Sequence, residues 1–347
     1  MDISFQQLTL TKLMPLGISR GVSTGSINLY VRVRAGEHEG IGECAPGTGF
    51  TETLAAQAQE QLSELARSLT DQMSIHEIWQ LGMDRGIDSG AVAALDTALW
   101  DLKAKQAGMP LIDLLGIPWP KVPTSVTIGI NPPDVVREKV PWLLAHTGGK
   151  FLKIKLGSPE GIEADQAMYE ACVEAARPFG VGLRVDANGG WSLRDAQTMI
   201  PWLAARGCDY VEQPLVAGGE DGLPVLYEGR ALPIFIDESC RVASDVVKYA
   251  HCVDGVNLKL MKCGGITEGL RLIATARACG LQTMIGCMSD SSIAIAAGAA
   301  LTGLLDHVDL DSHLNQNPDP AAGLGFVEGV VLPRQVPGHG AFLGQGS

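Results

Sequence analysis

From about residue 122 the chain repeats one texture: a short run of β-branched and other apolar residues, then a longer stretch whose apolar positions recur at helical spacing. The runs cover 122–130, 151–156, 182–186, 210–212, 234–237, 255–259, 282–285 and 307–311, at intervals of about 20 to 30 residues, the length of a βα unit. Eight strands alternating with helices predict an α/β fold closed as a (β/α)8-type barrel. A doubly wound sheet would normally carry a glycine-rich phosphate turn, and neither GxGxxG nor GxxxxGK[ST] is present.

The pattern before residue 121 is different. Strand-like runs at 26–35 and 40–43 precede helical stretches at 52–69, 75–83 and 91–107, and Gly108-Met109-Pro110 and Pro118-Trp119-Pro120 punctuate the end. Residues 91–100 carry small side chains around most of the helical circumference, which predicts a helix packed closely on two sides. The expected organisation is an N-terminal α+β capping domain over 1–120, a barrel over 121–312, and a Gly- and Pro-rich tail over 313–347. That tail holds a strand-like run at 329–332 and is expected to return and complete the cap.

Composition narrows the function. The 347 residues are 46% apolar and 19% charged, which is globular composition. A net charge of −13, from 26 basic and 39 acidic residues with no basic block, repels phosphate backbones and anionic lipid. Neither nucleic acid nor a membrane surface is an expected partner. The N-terminus has no basic leader, and the longest nearly pure apolar stretch, 293–305, falls short of the ~20 residues needed to span a bilayer. The eight cysteines form no CxxC pair and read as buried free thiols of a cytoplasmic protein.

In a barrel of this kind the chemistry lies at the C-terminal ends of the strands. Five consecutive strands close on charge: Lys153-Ile154-Lys155, Asp186-Ala187-Asn188, Glu212-Gln213-Pro214, Asp237-Glu238-Ser239 and Asn257-Leu258-Lys259. Carboxylates from three adjacent strands would converge on one point, where their repulsion calls for a cation, and an oxygen-only donor set points to Mg²⁺. Lysines on the second and sixth strands then flank the metal from opposite sides. This suits removal of a proton from one face of a carbon and its return to the other. Each charge taken alone is as readily a rim salt bridge worth ~0–1 kcal/mol; their recurrence on five successive strands is what argues for a site.

This series, followed by Cys263-Gly264-Gly265, resembles the enolase superfamily, muconate-lactonizing-enzyme subgroup, over essentially the whole chain; Gly42-Glu43 and 91–100 look like its capping domain. The resemblance implies Lys155 and Lys259 as the acid/base pair and Asp186, Glu212 and Asp237 as Mg²⁺ ligands. It implies Lys153 as a helper near the substrate carboxylate. Lys262 competes with Lys259, but the family pattern places the base five residues before the double glycine. Family habit also implies a homo-oligomer.

The last strand closes with Asp309-Leu310-Asp311, both carboxylates on one side, which looks like the DxD motif that binds the α-ammonium group in dipeptide epimerases. Thr127 matches a position that contacts substrate there, and 286–290 resembles the family's loop. The implied activity is epimerisation of an L,L-dipeptide at its C-terminal residue, with a dipeptide as the small-molecule partner. N-acylamino-acid racemase, o-succinylbenzoate synthase and muconate cycloisomerase share the machinery, and a non-catalytic metal-binding barrel is the reading from another class. Relatives acting on Ala-Glu carry a loop arginine; here Arg20 falls one position off, Gly21 taking its place, so a loop of Leu16, Gly17, Ile18 and Ser19 could accept an apolar or cationic side chain.

Overall fold

The computed structural model describes residues 1–45 and 51–344. Three antiparallel strands open the chain: β1 (Asp2–Ile18), β2 (Gly21–Ala35) and β3 (His38–Cys44), in the order β1-β2-β3. The strand-like runs at 26–35 and 40–43 lie within β2 and β3, whereas β1 has no counterpart in the sequence expectation. Its pairing with β2 shifts register between Thr11 and Leu16, a stretch that contains Pro15, which has no N–H to offer the ladder.

Helices α1 (Glu52–Ala66), α2 (Ile75–Asp84) and α3 (Ser89–Gln106) follow. α2 starts at a capping box between Ser74 and Glu77, and the Asp88 carboxylate accepts from the Gly90 and Ala91 amides to start α3. α3 is buried on almost every side, as its small residues predict. A Cβ on Gly42 of β3 would stand 2.0 Å from the Ala94 carbonyl oxygen, so the sheet lies directly on the backbone of α3.

The barrel strands are β4 (Ser125–Ile128), β5 (Phe151–Lys155), β6 (Gly182–Asp186), β7 (Cys208–Glu212), β8 (Ile234–Ile236), β9 (Gly255–Leu258), β10 (Gln282–Gly286) and β11 (His307–Asp309). All eight pair in parallel and in chain order, and a bridge between Thr124 and Val308 closes β11 onto β4. The Leu310 amide strengthens that seam by donating to the Thr124 hydroxyl at 2.7 Å. Every predicted strand coincides with an observed one.

The tail turns back over both units. Thr124 of the barrel donates to the Gly329 carbonyl, while His339 donates its amide to Asp101 of α3 and sets its ring against the Ile41 carbonyl of β3. The run at 329–332 lies in a hairpin of Leu324–Val327 with Val330–Pro333. Among the described residues no helix is long and apolar enough to cross a membrane.

Candidate active site

The ends of β5 to β9 bring the expected charges together. Asp186 closes β6, Glu212 closes β7 and Asp237 follows β8 by one residue; all three are fully buried, and one carboxylate oxygen from each lies within 4.8 Å of the others. Local backbone geometry fixes them. Asn188 and Gln213, just beyond Asp186 and Glu212, are held at φ of 44° and 38°, a conformation costing ~1–3 kcal/mol outside glycine and kept where surroundings over-determine it. Asn188 donates its amide to Asp186 at 2.8 Å, Gln213 accepts from the Asp237 amide at 2.8 Å, and Asn257 donates to Glu212 at 2.7 Å.

Four lysines surround the cluster. Lys155 contacts Asp186 at 2.6 Å and Lys259 contacts Asp237 at 2.7 Å, each only 8% exposed and each bordering a cavity. In the order β11 to β4, their strands β5 and β9 stand four places apart in a ring of eight, on opposite sides. Lys153 is enclosed by Asp186, Glu212 and Asp309 rather than facing a cavity. Lys262 also borders the cavity of Lys155 and Lys259, but its ammonium is committed, donating to Asp237 through both the carboxylate and the backbone carbonyl, to the Cys240 carbonyl at 2.9 Å and to the Asn257 carbonyl at 3.0 Å. With its donors so committed, Lys262 orients Asp237, and of the two lysines on Asp237 it is Lys259, with its single carboxylate contact, that has donors left for the cavity.

Charge is tightly balanced here. Burial opposes ionisation of Asp237, yet the Lys259 and Lys262 ammoniums hold it well below the usual carboxylate range. Burial and neighbouring Asp186 push Glu212 up to about 7. Lys153 and Lys259 resist the pull of burial because Asp309 and Asp237, respectively, raise them above the ordinary lysine value.

Two adjoining cavities border this centre. The first, about 70 Å³, is lined by Thr127, Asp309, Asp311 and the apolar Leu13, Met14 and Leu143. The Thr127 amide donates to Asp311 at 2.7 Å, and burial together with Asp309 lifts Asp311 to about 6. The second, about 250 Å³, lies against Asp237 and Lys259 under Leu16, Ile18 and Met288. Arg20 reaches it but is tied down, donating to Glu238 and to the Asn188 carbonyl at 2.8 Å each.

Of the cavity residues, Lys12 has no counterpart in the sequence expectation, while Glu238 and Met288 entered it only within Asp237-Glu238-Ser239 and the 286–290 loop, without roles of their own. The fold, the acid cluster at its mouth and the family models agree. Residues 136–344 match the enolase C-terminal domain-like model, and residues 5–116 the mandelate racemase / muconate lactonizing enzyme N-terminal domain. The chain belongs to the mandelate racemase/muconate lactonizing enzyme family of the enolase superfamily.

Within this family it is 57% identical to a hydrophobic dipeptide epimerase of Roseobacter litoralis, over 99% of both chains. It is 54% identical to another from a Flavobacteria bacterium, over 99% of this chain and 98% of the relative. A solved dipeptide epimerase from Enterococcus faecalis, complexed with Mg and L-Leu-L-Tyr, superposes with a TM-score of 0.89 at 31% identity, over 98% of each chain.

Proposed function

We propose that this family member is a Mg²⁺-dependent epimerase that inverts the α-carbon of the C-terminal residue of hydrophobic L,L-dipeptides by 1,1-proton transfer. The observation that carries the reading is the opposition of Lys155 and Lys259 across a buried three-carboxylate cluster. A binder needs one cation to hold an anion; two lysines on opposite faces are what inversion needs.

Asp186, Glu212 and Asp237 would hold the metal, since three buried, converging carboxylates are an oxygen donor set suited to a hard dication. Bound there, Mg²⁺ would supply Lewis-acid stabilisation for the negative charge that builds on the substrate carboxylate as its α-proton leaves. Lys155 takes the proton from one face and Lys259 delivers one to the other, with the roles exchanged in reverse. Asp309 and Asp311 hold the α-ammonium group, Thr127 orients Asp311, and Lys153 braces Asp309 against the acid cluster beneath the substrate carboxylate. Leu16, Ile18 and Met288 offer apolar surface to the C-terminal side chain, while Arg20 is spent on Glu238.

The sister activities of the subgroup act on substrates without a free α-ammonium. Asp309→Asn combined with Asp311→Asn should collapse dipeptide turnover and leave N-acylamino-acid racemisation nearly unchanged. The primary test is incubation with Mg²⁺ and pooled hydrophobic L,L-dipeptides in D₂O, read by mass spectrometry. A gain of ~1 Da in a subset is expected, from one α-proton exchanged; no gain in any pool, with the protein folded, would overturn the reading.

The proposal extends to a cytoplasmic setting, supported by eight free cysteines of which six are buried. It includes the division into a cap (1–120), a barrel (121–312) and a returning tail (313–347), supported by the tail's bonds to Asp101 and Ile41. It also includes a homo-oligomer, which light scattering at the mass of one chain would remove.

A further inference from the structure

One buried charge has no part in the chemistry above. Lys12, on β1, is 8% exposed, and no hydrogen bond or ion pair to its ammonium is found among the described residues. It sits within the register shift of the β1–β2 pair, where an isolated bridge to Gln316 holds its backbone instead. A lysine so largely withdrawn from water with no protein partner for its ammonium is costly, and a cavity that binds a polar ligand is where such a group is kept.

Its location says which ligand atom. Lys12 lines both cavities, and the wall they share consists of Lys12, Leu16, Lys155, Cys287 and Met288. On the dipeptide reading, the amino end lies in the first cavity at Asp309 and Asp311, and the α-carbon to be inverted lies between Lys155 and Lys259. The peptide bond must therefore cross the shared wall. Its carbonyl oxygen leaves water there and needs a donor. The side chains of Leu16 and Met288 have none and the Met288 amide is taken by Asp290, the Cys287 thiol leans on Asp311, and Lys155 is assigned to the α-proton. Lys12 is the donor that remains.

We propose that the Lys12 ammonium donates a hydrogen bond to the peptide carbonyl of the bound dipeptide, making it a substrate-binding residue supplied by the capping sheet. The inference rests on the dipeptide reading. Burial draws the pKa of Lys12 down, while Cys287, Asp311 and Asp290 act to keep its charge. Because β1 carries this donor, the cap does more than cover the barrel: it holds the scissile-free centre of the substrate while the barrel ends hold its two charged termini.

The test pairs Lys12→Met with a thioamide analogue of L-Leu-L-Leu, in which sulfur, a weaker acceptor, replaces the peptide oxygen and the N–H is kept. For the ordinary dipeptide, Lys12→Met should lose about ten- to hundredfold in kcat/KM, mostly through KM, as expected when one charged hydrogen bond is removed. The thioamide should penalise wild type and scarcely penalise Lys12→Met, since both changes remove the same bond. Lys12→Arg should recover much of the loss, and Lys12→Gln, a neutral donor, carries the same comparison if the methionine variant does not fold. Independent penalties that multiply, or an unaltered KM in Lys12→Met, would overturn the assignment. If wild type turns over no dipeptide at all, the dipeptide reading itself has failed, which is a separate result.

Discussion

Glu43 offers a quantitative probe of how the cap is fastened to the barrel. Its carboxylate is fully buried and accepts from Asn28 Nδ2 at 2.6 Å, the Ser291 amide at 3.0 Å, the Ser291 hydroxyl at 2.6 Å and the Ala294 amide at 3.1 Å. Two of these donors are amides of the first turn of the helix Ser292–Ala299 and the residue before it, so a cap-sheet side chain caps a barrel helix. Glu43→Ala leaves those two amides and the Ser291 hydroxyl without their partner. At ~1–3 kcal/mol for each buried unsatisfied amide, with the hydroxyl free to turn elsewhere, the expected loss is about 3–5 kcal/mol. Burial raises the Glu43 pKa, so desolvation of the carboxylate offsets part of what its bonds contribute. Glu43→Gln keeps one carbonyl oxygen but turns an NH₂ toward donors, and should cost less than alanine. The effect should reach substrate as well, because the loop ahead of Ser291 carries Cys287 and Met288 of the shared cavity wall. Urea unfolding and steady-state kinetics of both variants test this. A stability loss under about 1 kcal/mol for Glu43→Ala, with KM unchanged, would refute the clamp.

Three other outcomes follow from the same geometry. Lys155→Ala and Lys259→Ala should each abolish α-proton exchange in D₂O from one stereochemical direction while the other substrate epimer still exchanges; unchanged exchange from both epimers would remove that lysine from the mechanism. Mg²⁺ at 100 times its Kd should stabilise the protein by about 2.7 kcal/mol, and Asp237→Asn should lose most of this gain in a thermal melt; an equal gain in the variant would place the metal elsewhere. Asp96 of α3 accepts from the Thr267 amide and hydroxyl, yet burial lifts its pKa to about 7, against ~3.9 in the unfolded chain. The folded state binds that proton more tightly, so Asp96 makes stability fall as pH rises from about 4 to about 7, by at most ~4 kcal/mol, with no further loss above. Asp96→Asn should flatten the slope in urea titrations across this window, and an unaltered slope would sink the assignment.

The barrel and the acid cluster were legible in the sequence because both are written locally. Phe151–Lys155 and Gly182–Asp186 are short apolar runs that end on charge, so strand, strand end and ligand-type residue are read from a few adjacent positions. Pairings across the fold left no such mark. Glu43 meets Ser291 across 248 residues and Arg20 meets Glu238 across 218, and neither contact alters the periodicity around its partners. Lys259 and Lys262 likewise differ little on paper; what separates them is that four oxygens from Asp237, Cys240 and Asn257 converge on one ammonium and not on the other. Lys12 lies between these cases. Leu8, Leu10 and Lys12 follow the two-residue period of a strand and share one face, and Leu10 on that face is buried. A lysine in the inward row of a strand is a signal available from sequence, but only once β1 is recognised as a strand, and Pro15 with its Thr- and Gln-rich neighbourhood hides it. Such a charge is affordable only where something polar comes to meet it, which is why the inward lysine of an otherwise structural strand points to substrate.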